Sequence, residues 1–157
     1  MLPTEATVPL TDEQRNWLRV NAIFPALFAI PIVFVIGAVL LFIARRFHAL
    51  PVTIFACAGG LLLIAVTAGV ALHVRNNLRD LQRGVAHVVT ARLLSKRATG
   101  RNTKSFYATL EHVGDVIVMH DLYATLSEQA LYRVTYSPST KRCWSATNLS
   151  YLPPNAR

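Results

Sequence analysis

Two long uninterrupted apolar runs dominate the pattern of this chain. Ala22 to Ala44 is a run of 23 residues with no charged or strongly polar side chain, ended by Arg45 and Arg46. Ala49 to Val74 is a second, ended by Arg75. Each exceeds the ~20 residues that carry a helix across a ~30 Å hydrocarbon core. In lipid the backbone must satisfy its own hydrogen bonds, so both runs predict α-helices. The link Arg45-Arg46-Phe47-His48 is short enough only for a tight turn, which makes the pair an antiparallel hairpin. A signal peptide is the competing reading of the first run. The polar segment with three acidic groups ahead of it, its length and the lack of a small-residue cleavage site disfavour that reading.

Ahead of the first run, Leu2 to Leu10 holds two prolines and shows no period, which predicts an extended arm. Thr11-Asp12-Glu13-Gln14 fits a capping box, with Thr11 as N-cap and Gln14 reaching back. Asp12 and Glu13 suit the positive end of the helix dipole. A short interfacial helix is therefore expected toward the first span. Trp17 on it fits the aromatic belt at the membrane surface and serves as an interface anchor. Pro25 falls in the first turns of the span, and Pro31 lies deeper, where a kink is expected.

After the second run the period changes. His73 to Gln82 continues the helix, and Gly84 breaks it. Short β-branched and aromatic segments then alternate with turn signals. Strands are predicted at Val85–Leu94, Ser105–Glu111, Val116–His120, Leu131–Tyr136 and Arg142–Thr147. Lys96 to Lys104 reads as a loop, His112 to Asp115 as a hairpin turn, and Ser137 to Thr140 as a tight turn. Asp121 to Leu126 reads as one helical turn with Asp121 as its cap. Five short strands suggest a small antiparallel barrel or curled sheet. The helical turn lies where an OB-fold carries its helix. The domain organisation is then an N-terminal arm and short interfacial helix over 1–21, a two-helix transmembrane hairpin over 22–75, a β-domain over 76–150 and a tail over 151–157.

Composition agrees with a membrane protein. Only 15% of the 157 residues are charged, against roughly 25% in soluble domains. The two cysteines, Cys57 in a span and Cys143 in the β-domain, make neither a disulfide scaffold nor an internal pair. The net charge of +8 at first suggests nucleic acid. Its distribution points elsewhere. Residues 75–104 hold eight basic groups and one acidic, whereas residues 105–157 hold four of each sign. The excess abuts the membrane, where Arg75, Arg79, Arg83, Arg92, Lys96 and Arg97 are expected to meet anionic lipid. The same bias puts both termini and the β-domain on the cytoplasmic side, with Arg45 and Arg46 in the turn opposing it.

Several segments resemble a group of uncharacterised bacterial two-span membrane proteins with a small C-terminal β-domain. They are Asp80-Leu81-Gln82-Arg83-Gly84-Val85, Ser105-Phe106-Tyr107, Leu131 through Pro138, and Lys141-Arg142-Cys143-Trp144-Ser145. The resemblance spans roughly residues 20–148 and implies the architecture, without a catalytic residue; the expected location is the bacterial inner membrane. A weaker similarity is to NfeD-like proteins, which carry an OB-like domain after membrane helices. The glycine-rich opening of those domains is missing from this chain.

No nucleophile–base arrangement, phosphate loop or in-membrane carboxylate is evident. His48 and His73 lie at opposite ends of the hairpin and cannot share a haem. His87, His112 and His120 show no zinc spacing. Phe106, Tyr107, Tyr123, Tyr132, Tyr136 and Trp144 suit the core or a protein contact better than a base-stacking platform. Neither a cofactor nor a metal is expected. One helix face is distinctive. Thr53, Ala56, Gly60, Thr67 and Ala71 fall within about 60° of one another at 100° per residue and would allow close helix packing. The expectation is a non-enzymatic accessory or scaffold subunit of a larger membrane complex, respiratory or photosynthetic in type, or a homo-oligomer. The alternative is a free-standing NfeD-like regulator whose OB-like domain binds a ligand or protein.

Overall fold

The computed structural model describes residues 6–46, 50–100 and 104–150. They form two compact units, one of Met1–Arg15 with Asp80–Arg157 and the other of Asn16–Arg79.

The helical unit is built on α1 (Asp12–Arg46) and α2 (Leu50–Arg83). Both are long and apolar enough to cross a membrane, and their most apolar windows bury nothing within the protein. Phe28, Phe34, Phe55, Leu61 and Leu62 stand exposed, as lipid-facing residues do. The capping box forms as expected. The Thr11 N–H donates to Gln14 Oε1 at 3.1 Å, and the Gln14 N–H donates to Thr11 Oγ1 at 3.3 Å. The helix it starts does not stop at the interface, because α1 is one continuous element through Pro25 and Pro31. Arg45 and Arg46 form its last turn, where they suit the dipole, rather than a linking turn. Phe47 and His48 lie outside the described residues. Pro51 falls in the first turn of α2, where a missing N–H costs little.

The helices run antiparallel and side by side. A Cβ on Gly37 would lie 3.8 Å from Leu63 Cδ2, and one on Gly59 would lie 3.2 Å from Leu40 Cδ2.

The β unit carries β1 (Ala6–Pro9), β2 (Val85–Thr99), β3 (Ser105–Leu110), β4 (Gly114–Val118), α3 (His120–Thr125), β5 (Leu131–Tyr136) and β6 (Cys143–Asn148). The sheet is antiparallel in the order β4-β3-β2-β5-β6, and β1 pairs with β2 off that path. β2 organises it. Its first part pairs with β5 from His87 to Arg92, and its last part pairs with β3 from Leu93 to Thr99. An irregularity between Leu93 and Ser95 marks the changeover. Such a bulge bends a strand and sharpens its twist, so one strand serves two halves of a curled sheet. The outer strands β4 and β6 meet at one parallel bridge, Ile117 with Arg142, where the Ile117 N–H donates to the Lys141 carbonyl at 2.7 Å. Counted from β2, the helix falls between the third and fourth strands and the bridge joins the third and fifth, an arrangement like a partly open OB-type barrel.

Alternation builds the core. Val89, Ala91 and Leu93 of β2, Ala108 and Leu110 of β3, Val116 and Val118 of β4, and Tyr132, Val134 and Tyr136 of β5 all point inward, joined by Leu126 and Cys143. The buried Tyr132 hydroxyl is satisfied by the Ser127 N–H at 2.8 Å.

Several sequence expectations shift. The arm over residues 6–9 is a strand rather than an unpaired extension, since β2 offers it a free edge. Lys96 to Thr99 is strand, not loop, because β3 supplies the cross-strand partners. β4 is displaced toward Gly114, and Met119 and His120 open the helical turn. Met119, not Asp121, is its N-cap, and no side chain caps it.

Candidate functional site

Three places draw together the chemistry-bearing residues. The first is the β5–β6 turn. α2 ends where the sequence says, with Gly84 in the left-handed region at φ +65° and its N–H on the Asp80 carbonyl at 3.1 Å. This is the αL helix stop, which glycine adopts without a Cβ penalty. Asp80 in that last turn is fully buried. Its carboxylate accepts the Ser139 N–H at 2.9 Å on Oδ1 and the Thr140 N–H at 2.7 Å on Oδ2. Arg83, one turn on, donates to Ser139 Oγ at 3.3 Å. Within the turn the Trp144 indole N–H donates to Ser137 Oγ at 2.8 Å, and the Arg142 guanidinium lies 5.4 Å from the Trp144 ring. Neither Asp80 nor Ser139 was a candidate in the sequence. Beside this turn, burial pushes the Cys143 thiol up to about 12, outweighing the lowering effect of a Ser145 backbone hydrogen bond and of the nearby Arg142 charge. Such a thiol stays protonated and unreactive at neutral pH. Burial also lowers the Arg142 pKa from its usual value.

The second place is the set of basic residues expected at the membrane surface. They separate into two groups. Arg97 pairs with Asp115 at 2.6 Å and lies over Tyr107. Lys96 donates to the Leu126 carbonyl at 2.8 Å and lies 5.1 Å from the Tyr123 ring. Both are held within the β unit, as is Arg83. Arg75, Arg79 and Arg92 are exposed, and none of their side chains has a hydrogen-bond or ion-pair partner among the described residues. Trp17 is half-buried on α1, with its carbonyl accepting the Asn21 amide at 2.9 Å.

The third is the small-residue face of α2, which lies along the helix pair in two stretches. Thr53, Ala56 and Gly60 line a groove of about 290 Å³ with Gly37, Leu40 and Leu63. Thr67 and Ala71 line a larger one of about 440 Å³ with Ala26, Ile30 and Phe34. Gly60 itself faces open space; the tight approach to α1 falls on Gly59.

The remaining candidates do not converge. His87 lies against Tyr136, His120 against Phe106, and His112 beside Glu111 at 3.5 Å, so the three histidines sit in separate settings. Among the described residues no three His, Cys, Asp or Glu side chains are grouped to hold a metal. Of the aromatics, Tyr132 and Tyr136 are core, while the Phe106 and Tyr123 rings meet at 4.8 Å, tilted by 43°. The chain matches no protein-family model, no curated protein and no solved structure at a significant level.

Proposed function

We propose that this chain is a non-catalytic, membrane-anchored accessory subunit of a larger membrane protein complex. The observation that carries this reading is the open groove at the turn-proximal end of the helix pair. Thr53, Ala56 and Gly60 leave its floor shallow, and a Cβ on Gly60 would meet nothing within 4 Å. A floor of small residues lets a neighbouring helix backbone approach closely, the usual basis of helix association in lipid. The β unit supports a binding rather than a catalytic role. Its buried carboxylate is spent on two backbone N–H groups, and its buried thiol is held neutral.

The basic flank from Arg75 supports a bacterial inner-membrane protein with both termini and the β unit cytoplasmic. Extraction in a gentle detergent, followed by a native gel and mass spectrometry, tests the function. Co-migration with a large assembly is expected. A small homo-oligomer would instead indicate a free-standing regulator. Single cysteines at Arg46 and Thr125, in a Cys57→Ser, Cys143→Ala background, test the orientation. An impermeant thiol reagent on intact spheroplasts should label position 46 and spare 125.

A further inference from the structure

We propose that the membrane-surface half of the helix pair holds one anionic phospholipid, with its phosphate on Arg75 and Arg79 and an acyl chain in the groove between α1 and α2. This rests on the membrane-anchored reading above and adds a ligand to it.

The groove of about 440 Å³ is walled by Ala26, Ile30 and Phe34 of α1 and by Thr67, Ala71 and Val74 of α2. That volume is in the range of ordinary small-molecule sites. Its one hydroxyl is already used, since Thr67 Oγ1 donates to the Leu63 carbonyl at 2.7 Å. The groove therefore offers hydrocarbon a hydrocarbon wall.

What stands at its mouth selects the occupant. Thr67, Ala71, Arg75 and Arg79 are spaced four apart and follow one inclined ridge on α2 that drifts about 40° around the helix at each step. Arg75 therefore stands about 40°, and Arg79 about 80°, around from Ala71 at the side of the groove mouth, and their long stems carry the guanidinium groups toward it. Arg75 is the first charged residue after the apolar run, and Arg79 stands about 6 Å further along the axis. That step falls inside a headgroup layer roughly 5–8 Å thick. On α1, Arg19 lies within about 20° of Ala26 around the helix and adds a third cation on the groove-facing side. All three arginines are exposed, and their side chains make no ion pair or hydrogen bond among the described residues. An apolar helix in this groove would leave that charge uncompensated. A lipid phosphate neutralises it while the acyl chain fills the groove, and planar guanidinium groups suit phosphate oxygens.

The test uses the full chain in mild detergent and native mass spectrometry, titrating phosphatidylglycerol against phosphatidylcholine with the same acyl chains. Wild type should retain one phosphatidylglycerol in preference. Arg75→Gln with Arg79→Gln should weaken that binding about 30-fold, from ~1 kcal/mol per arginine at ~1.4 kcal/mol per decade. Ala71→Phe should block the groove and weaken both lipids. Arg133→Gln, at an exposed position on β5, should change nothing. Equal retention of the two lipids, or a double variant that binds like wild type, overturns the proposal. So does displacement of the lipid by glycerol phosphate as readily as by lyso-phosphatidylglycerol, since the headgroup alone would then account for binding. A disulfide-linked dimer through Ala71→Cys in a Cys57→Ser background would place a second copy in the groove and also overturn it. Release of the wild-type chain from membranes by alkaline carbonate would sink the anchored reading itself. Retention in the membrane without lipid preference would sink only the lipid site.

Discussion

Asp80→Ala tests whether a single carboxylate organises the β5–β6 turn. Asp80 is fully buried, and each of its oxygens accepts one backbone N–H, from Ser139 and Thr140. Hydrogen bonds to a charged group contribute about 1.5–3 kcal/mol each, and a buried N–H left without a partner costs about 1–3 kcal/mol. The two terms overlap, and the turn can recover part of the loss by opening to water. The expected cost is therefore ~2–4 kcal/mol, a large share of a typical domain stability of 5–15 kcal/mol. Asp80→Asn keeps one acceptor but turns an amide toward the second N–H, so about half that loss is expected. The assay is urea unfolding of the full chain in mild detergent, in a Trp17→Phe background. Trp144 is then the sole indole, and it is bonded to Ser137 within the same turn. With a urea slope of roughly 1–2 kcal/mol per M, the midpoint should fall by about 1–4 M for the alanine variant. A midpoint within a few tenths molar of the parent, at unchanged slope, would refute the claim that this carboxylate holds the turn.

Four further outcomes follow from the same geometry. Cys143 should resist alkylation in the folded chain at pH 8 and react once urea unfolds the β unit, measured in a Cys57→Ser background; rapid labelling of the folded protein would contradict its burial. Because folding holds the Cys143 proton up to about 12 against an ordinary value of 9.0, the folded state binds more protons across that window. Stability should therefore decline as pH rises above 9, by at most ~1.4 kcal/mol per unit, and Cys143→Ala should flatten that slope in pH-dependent urea melts. Gly84→Ala should destabilise the β unit by about 1–3 kcal/mol, since its φ of +65° is strained for any residue with a Cβ; an unchanged urea midpoint would argue against the helix stop seen here. Gly59→Leu should overpack against Leu40 by about 1–3 kcal/mol and reduce chain abundance, whereas Gly60→Leu should leave the hairpin intact and weaken co-purification of the partner; the reverse pattern would mean that α2 is rotated from the orientation described.

Features governed by neighbours in sequence were legible in the chain itself. The two long apolar helices follow from uninterrupted hydrophobicity. The capping box at Thr11 and Gln14 follows from a spacing of three, and the stop at Gly84 from glycine's access to positive φ. Leu131–Tyr136 matched residue for residue, and the turn after it falls within the expected Ser-Pro-Ser-Thr segment, at residues 138–140. Decisions that need a distant partner were not legible. Residues 6–9 are exposed and carry no strand signature; they are a strand because β2 presents an edge. Lys96 to Thr99 is polar enough to read as loop, and only pairing with β3 extends it. Asp80 looks like an ordinary charge at a helix end, since the N–H groups it accepts lie 59 and 60 residues away. The basic flank reads as one cluster, yet folding withdraws Arg83, Lys96 and Arg97 to partners in the β unit and leaves Arg75 and Arg79 unpaired. At the adjacent glycines 59 and 60, periodicity defines a face but not what that face meets. One residue is a rotation of about 100°, and only the packed position of Leu40 shows that the contact belongs to Gly59 and the open side to Gly60.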